Sequence, residues 1–201
     1  MMISAVIEES ETIPILPDGW GNADSRPLEI DVGCHKGLFL YEMAQRYPDR
    51  NFLGIERQAK RVSRTQGKIV RSDLPNAAVV HIEAFDGLSK LPEGSVDCLY
   101  VSFPDPWPKR RHASRRLVQD RFLLACAHCL KVEGLLRIAT DDPPYALWIS
   151  EKLDNARAFF TPVEEATLPP LPATEFEKKF VAQDKPIHRF ARRLMVRPSE
   201  K

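Results

Sequence analysis

The chain has no apolar run long enough to cross a bilayer. It has almost no net charge, +1 at neutral pH, so its overall field does not mark it for nucleic acid, and any basic surface has to come from local segregation. Its first twenty residues, "MMISAVIEESETIPILPDGW", carry an acidic cluster and lack the basic start of an export signal. Cysteine is scarce: Cys34, Cys98, Cys126 and Cys129 are the only four. With nothing to suggest export, they are expected as free thiols in a reducing cytoplasm. Cys126 and Cys129 form a CxxC around His128, but no second pair of ligands stands at zinc spacing. The motif also lies late in the apolar stretch "FLLACAHCL", not at a helix start where a redox pair belongs. These thiols are therefore read as helix packing, and no metal is expected. Internal repeats are absent too, and 201 residues suit one domain with a sizeable core.

What is present is alternation. "LEIDVG" (28–33), "NFLGIE" (51–56), "AAVVHIEA" (77–84), "VDCLYVSF" (96–103) and "LLRIATD" (135–141) read as strands. Between and after them, "KGLFLYEMAQRYP", the basic amphipathic "RQAKRVSRTQGKIVRS", "SRRLVQDRFLLACAHCLK" and "PYALWISEKLDNA" read as helices. Strand–helix alternation of this kind predicts an α/β chain with a mostly parallel sheet and helices on both faces. The remainder is organised differently. "TPVEEATLPPLPATEFEKKF" is rich in proline and without a long period, so it is expected as an extended connection, and "IHRFARRLMV" (187–196) alternates as a closing strand does. The division expected is an N-terminal extension (1–27), a core (28–155) and a C-terminal segment (156–201).

Ligands of parallel sheets bind beyond the C-terminal strand ends. Here each strand end brings a carboxylate to that rim: Asp31 beside Gly33, Glu56, Glu83 with Asp86, Asp105, and Asp141. The turn "DVGCHKG" spaces its glycines as GxxxG, with His35 where a dinucleotide fingerprint has its middle glycine. Glu56 ends the second strand, 23 residues after Gly33, where an acid commonly binds a ribose diol. Two acids without a phosphate-binding pattern suit a cationic nucleoside, and S-adenosylmethionine is one. Glu56 as a simple cap of the second helix is the plainer alternative.

The stretch "FPDPWPKRRH" (103–112) holds three prolines, which neither a core strand nor a helix tolerates. It is a stiff loop carrying one carboxylate, Asp105, into a basic run. From 109 to 121 six cations (Lys109, Arg110, Arg111, Arg115, Arg116, Arg121) face a single acid, Asp120. A solvated helix face is the commonest fate of such a run, but phosphate backbones are the usual partner of a local stripe.

Taken together, "DVGCHKGLFLYEMAQRYPDRNFLGIE", "FPDPWPKRRHASRRLVQDRF", "IATDDPPYALW" and "TEFEKKF" resemble the tRNA (guanine-N7-)-methyltransferase family, in family order over about residues 28–180. The resemblance implies a Rossmann-like methyltransferase fold, S-adenosylmethionine as donor and a guanosine of the tRNA variable loop as substrate. It implies a donor pocket of Asp31, Gly33, Glu56 and Glu83, with Asp105 both beside the donor and as the catalytic or guanine-orienting acid. Lys109, Asp141, Thr174, Glu175, Phe176 and Glu177 would hold substrate, and Lys109, Arg110, Arg111, Arg115 and Arg116 would grip tRNA. Three positions depart from the family pattern: His35 for glycine, Glu83 for aspartate, and Lys179-Phe180 for Arg-Gly. The expectation at His35 is a reshaped turn with negative φ and a ring pointing away from the donor. The competing functions are a non-catalytic tRNA-binding protein on the same fold, its donor pocket closed by His35, and a small-molecule methyltransferase.

Overall fold

The computed structural model describes residues 15–21 and 25–198; the acidic cluster near the N-terminus lies outside the described residues. Seven strands form one sheet in the order β3-β2-β1-β4-β5-β7-β6. They are β1 (Leu28–Val32), β2 (Asn51–Glu56), β3 (Ala77–His81), β4 (Val96–Ser102), β5 (Leu130–Thr140), β6 (Phe160–Val163) and β7 (His188–Leu194). β1 to β5 pair in parallel, while β7 runs antiparallel to both β5 and β6.

Burial on both faces explains why the first strands read as unbroken apolar runs rather than alternating ones. Every residue of β1 and β2 is buried. On one face α1 (Leu38–Arg46) and α2 (Ala59–Arg71) lay Leu40, Met43, Val62 and Ile69 against Phe52 and Val79. On the other, α3 (Ala84–Lys90), α4 (Asp120–Cys129) and α5 (Pro143–Asn155) lay Leu88, Phe122, Cys126 and Ile149 against Ile30, Leu53 and Leu136. Cys126 and Cys129 are free and fully buried, so the CxxC is packing. Glu29, buried in β1, is neutralised by Arg50 at 2.5 Å and accepts the Tyr100 hydroxyl at 2.7 Å. An unpaired charge there would be strongly destabilising.

Four boundaries differ from the sequence reading. β3 stops at His81, because Glu83 caps α3: its side chain accepts from the Phe85 N–H at 2.8 Å. α3 itself was hidden in a short, weakly periodic stretch. The helix expected from Ser114 is two pieces, a 3₁₀ turn at Arg110–Arg115 and α4, and the chain between them is extended at Arg116. β5 begins at Leu130, directly after α4, with an irregular register against β4. The proline-rich connection is not wholly extended either. It contains β6 and a short helix, α6 (Glu175–Val181), started by the Thr174 hydroxyl, which accepts from the Glu177 N–H at 3.0 Å.

Candidate active site

The strand order reverses between β1 and β4, and their C-terminal ends open a crevice there, as the topology of such sheets dictates. The crevice holds a cavity of about 440 Å³, lined among others by Gly33, Glu56, Glu83, Asp105, Trp107 and Phe176. Gly33 has φ 78°, and a Cβ placed on it would meet nothing within 4 Å, so the turn leaves open space on the cavity side. Gly37, at φ 66°, serves packing instead. A Cβ there would lie 2.3 Å from Thr65, so the glycine lets α1 start hard against α2.

Glu56 is buried at the end of β2, and both its oxygens are in use. Oε2 accepts from the His35 N–H at 3.0 Å and Oε1 from the Gln58 N–H at 2.8 Å, with Arg61 3.6 Å away. It therefore ties the turn after β1 to the start of α2 and retains lone pairs toward the cavity. Asp31 lies deeper, 5% exposed. Burial, and second the nearby Glu56 carboxylate, push its acid up to about 7. Of Glu83 and Asp86, both exposed, Glu83 lines the cavity and Asp86 lies in the first turn of α3, outside the lining.

Asp105 stands at the cavity mouth on the proline loop, 70% exposed, with the Arg57 guanidinium 3.6 Å from one oxygen. The loop is held from behind by contacts that sequence reasoning did not find. Arg116 donates from Nε to the Pro106 carbonyl at 2.9 Å and lies over the Tyr145 and Trp148 rings. Trp148 donates to the Val118 carbonyl at 2.7 Å, and the Tyr145 hydroxyl accepts from the Val118 N–H at 3.2 Å. Arg116 is thus committed to bracing the loop, unlike the exposed Lys109, Arg110 and Arg111 beside it. Trp107, at φ 44°, packs edge-on to His112 and carries Arg115 over its ring at 5.0 Å.

Asp141 and the motif residues of the C-terminal segment come to the same rim but arrive paired. Asp141 holds Lys185 at 2.9 Å, and Glu177 holds Arg189. Phe176 stacks on Phe180, and Phe103 approaches both rings. Lys109 starts the 3₁₀ turn, exposed and outside the cavity lining.

His35 corrects the sequence expectation. Its φ is +53°, and its ring does not point away: it meets Phe176 edge-on with centroids 5.0 Å apart and lies 3.7 Å from Glu175. The turn keeps its glycine-like shape because Glu56 fixes the His35 N–H and Thr65 donates to the His35 carbonyl. Histidine tolerates that region better than branched residues do. Burial, then the cations Arg61 and Lys36, hold the imidazole below its usual acidity range.

Does a methyl-donating nucleoside fit? The 440 Å³ cavity offers apolar walls (Ile55, Ile82, Ala84) and the Glu56 carboxylate, which suit an adenosine half. The amino-acid half would reach toward Asp31, where only about 30 Å³ is open between His35, Glu175 and Phe176. The donor set fits, provided that Phe176 and α6 yield.

Comparison with known proteins narrows this geometry to a family. A family model described as "Putative methyltransferase" matches residues 25–190. A curated tRNA (guanine-N(7)-)-methyltransferase of Geobacillus thermodenitrificans is 32% identical over 170 residues, covering 83% of this chain and 79% of that protein. The chain belongs to the tRNA (guanine-N(7)-)-methyltransferase family. A relative of the same description from Syntrophotalea carbinolica is 34% identical, covering 81% of this chain and 72% of its own length. The one from Thermotoga maritima is 31% identical over 92% of this chain, which spans 60% of that longer protein. Solved structures share the fold alone. The aminoglycoside resistance methyltransferase NpmB1 superposes with a TM-score of 0.57 at 20% identity, over 85% of this chain and 88% of its own. The [4+2]-cyclase SpnF superposes at 0.60 with 15% identity, over 86% and 77%. A fold shared with a cyclase shows why the family assignment has to rest on sequence and site, not architecture.

Proposed function

We propose that this chain performs the reaction its relatives are named for, transferring the methyl group of S-adenosylmethionine to N7 of a guanosine in tRNA, with the variable loop as the target region. The observation that carries this reading is the position of Asp105, on a braced loop at the mouth of the cavity that Gly33, Glu56 and Glu83 line.

Guanine N7 presents a lone pair, so no proton has to leave before the methyl group arrives, and no strong general base is required. The bound donor supplies an electrophilic methyl on a sulfonium. The protein's work is alignment, which alone can supply a large effective molarity. Glu56 would take the ribose hydroxyls, Glu83 the adenine side, and Asp31 the cationic amino-acid end. Asp105 would accept the guanine N1–H and N2–H and oppose the positive charge growing on the purine. To do so it exchanges its 3.6 Å contact with Arg57 for the base, a modest cost for an exposed pair. N7 faces the deep, narrow groove of A-form RNA, so the base has to leave the stack to reach this acid.

Lys109, Arg110, Arg111 and Arg115 would hold phosphates beside the loop, and Asp141, after β5, with Thr174–Glu177 of the C-terminal segment (156–201) would close on the substrate. We place the enzyme in the cytoplasm, on the support of its four unpaired buried cysteines. Incubation with labelled donor and bulk tRNA, followed by nucleoside analysis, should yield 7-methylguanosine. Label at any other atom, or none, defeats the proposal.

A further inference from the structure

α2 carries charge that the proposed reaction does not use. Its thirteen residues include Lys60, Arg61, Arg64, Lys68 and Arg71 and no acid. At 3.6 residues per turn these five cations fall within about 100° of arc, one stripe along a helix roughly 20 Å long. The opposite side is the buried one, through Val62, Thr65 and Ile69. Like charges one turn apart repel and weaken a helix. Nothing in the fold relieves that repulsion at Lys60, Arg64 or Arg71: all three are exposed, and among the described residues none has an ion-pair partner. Arg61, by contrast, turns into the 440 Å³ cavity, and Arg57, just before the helix, reaches Asp105. The stripe therefore starts at the cavity mouth and leads away from it, on the β2 side of β1. The basic run after Asp105 leaves from the β4 side, and Arg115 lines the same cavity.

We propose that the exposed face of α2 is a second docking surface for the RNA phosphate backbone, so that the strand is held on both sides of the guanosine offered to Asp105. The inference rests on the proposed reaction for the place of that guanosine. The occupant follows from charge: a line of cations, with Lys60, Arg64 and Arg71 free of ion-pair partners among the described residues, that opens onto Asp105 matches a polyanion passing over it.

The test uses the full chain and a tRNA transcript. The triple variant Lys60→Gln/Arg64→Gln/Arg71→Gln keeps good helix formers at exposed positions. Each phosphate no longer neutralised lowers the slope of log affinity against log salt by about 0.7–0.9, so a decrease of about 2–3 is expected for the three. Donor affinity by calorimetry should not move. The charge-keeping variant Lys60→Arg/Arg64→Lys/Arg71→Lys should show the wild-type slope. If the triple variant does not fold, Arg64→Gln alone serves, with the decrease expected for a single phosphate. A wild-type slope in the glutamine variants overturns the proposal, and is the result expected were an acidic protein the occupant of this face. Binding and methyl transfer are read separately. A chain that binds tRNA yet forms no 7-methylguanosine defeats the proposed reaction, while the slope still judges α2.

Discussion

The two sides of the rim hold their carboxylates in opposite ways. On the β1–β2 side Asp31 and Glu56 are buried, and Glu56 is fixed by two backbone N–H groups. On the β4–β5 side Asp105 is exposed, and Asp141 and Glu177 are joined to lysine or arginine at the surface. The first arrangement holds its acids in place before any ligand arrives, which suits a small ligand met repeatedly in one pose. The second consists of charge pairs that cost little to open, as a large polyanion with its own cation needs requires. Fixed and exchangeable electrostatics thus sit side by side on one sheet edge, each suited to one of the two proposed ligands.

The largest expected effect breaks the exchangeable side. Asp105→Ala should lower single-turnover methyl transfer by about 10²–10³-fold, the range for losing one transition-state partner. Donor affinity should stay within several-fold, and Asp105→Asn should keep more activity because its amide oxygen still accepts a hydrogen bond. Wild-type turnover in the alanine variant would remove Asp105 from the chemistry.

On the rigid side, Asp31 gives a stability test with a defined sign. Its carboxyl resists ionisation in the fold until about pH 7, whereas its ordinary value is 3.8. Well below pH 3.8 both folded and unfolded chains hold the proton and stability is unaffected. As pH rises from about 4 through about 7 the unfolded chain ionises first, so stability falls, by at most about 4 kcal/mol once above 7. Asp31→Asn should therefore raise the donor-free Tm at pH 8 and leave it unchanged well below pH 3.8. A pH-independent difference would show that the carboxylate is already compensated. Donor binding should move the other way, weakened in the asparagine variant.

Glu56→Ala should weaken donor binding by roughly 1–3 kcal/mol through missing hydrogen bonds. It also frees the His35 and Gln58 N–H groups, so circular dichroism and a melt have to accompany calorimetry. Unchanged affinity with the fold intact returns Glu56 to a cap between β2 and α2.

The smallest effect joins the two sides. His35→Gly relieves a left-handed residue, worth roughly 1–2 kcal/mol, and removes the ring that α6 rests on. Donor affinity should tighten by less than tenfold, or about 1.4 kcal/mol. A hundredfold gain would mean that the histidine obstructs the amino-acid end of the pocket, and the non-catalytic tRNA-binding reading would then lead.

Local chemistry made much of this protein legible in one dimension. Doubly buried parallel strands need long apolar runs, so β1, β2 and β4 stood out, and three prolines in ten residues leave few structures open to "FPDPWPKRRH". The cavity acids follow from those strands, since a parallel sheet fixes the rim at which every strand ends. What stayed hidden depends on partners distant in the chain. α6 has no buried residue and little periodicity; it exists because Thr174 caps it and Phe176 finds His35 and Phe103. Arg116 looks like its basic neighbours in sequence, yet it is the one of that run that lies over the Tyr145 and Trp148 rings. The φ of His35 was decided in the same way, by Glu56 and Thr65, which hold its backbone from two other elements against the preference of the residue itself.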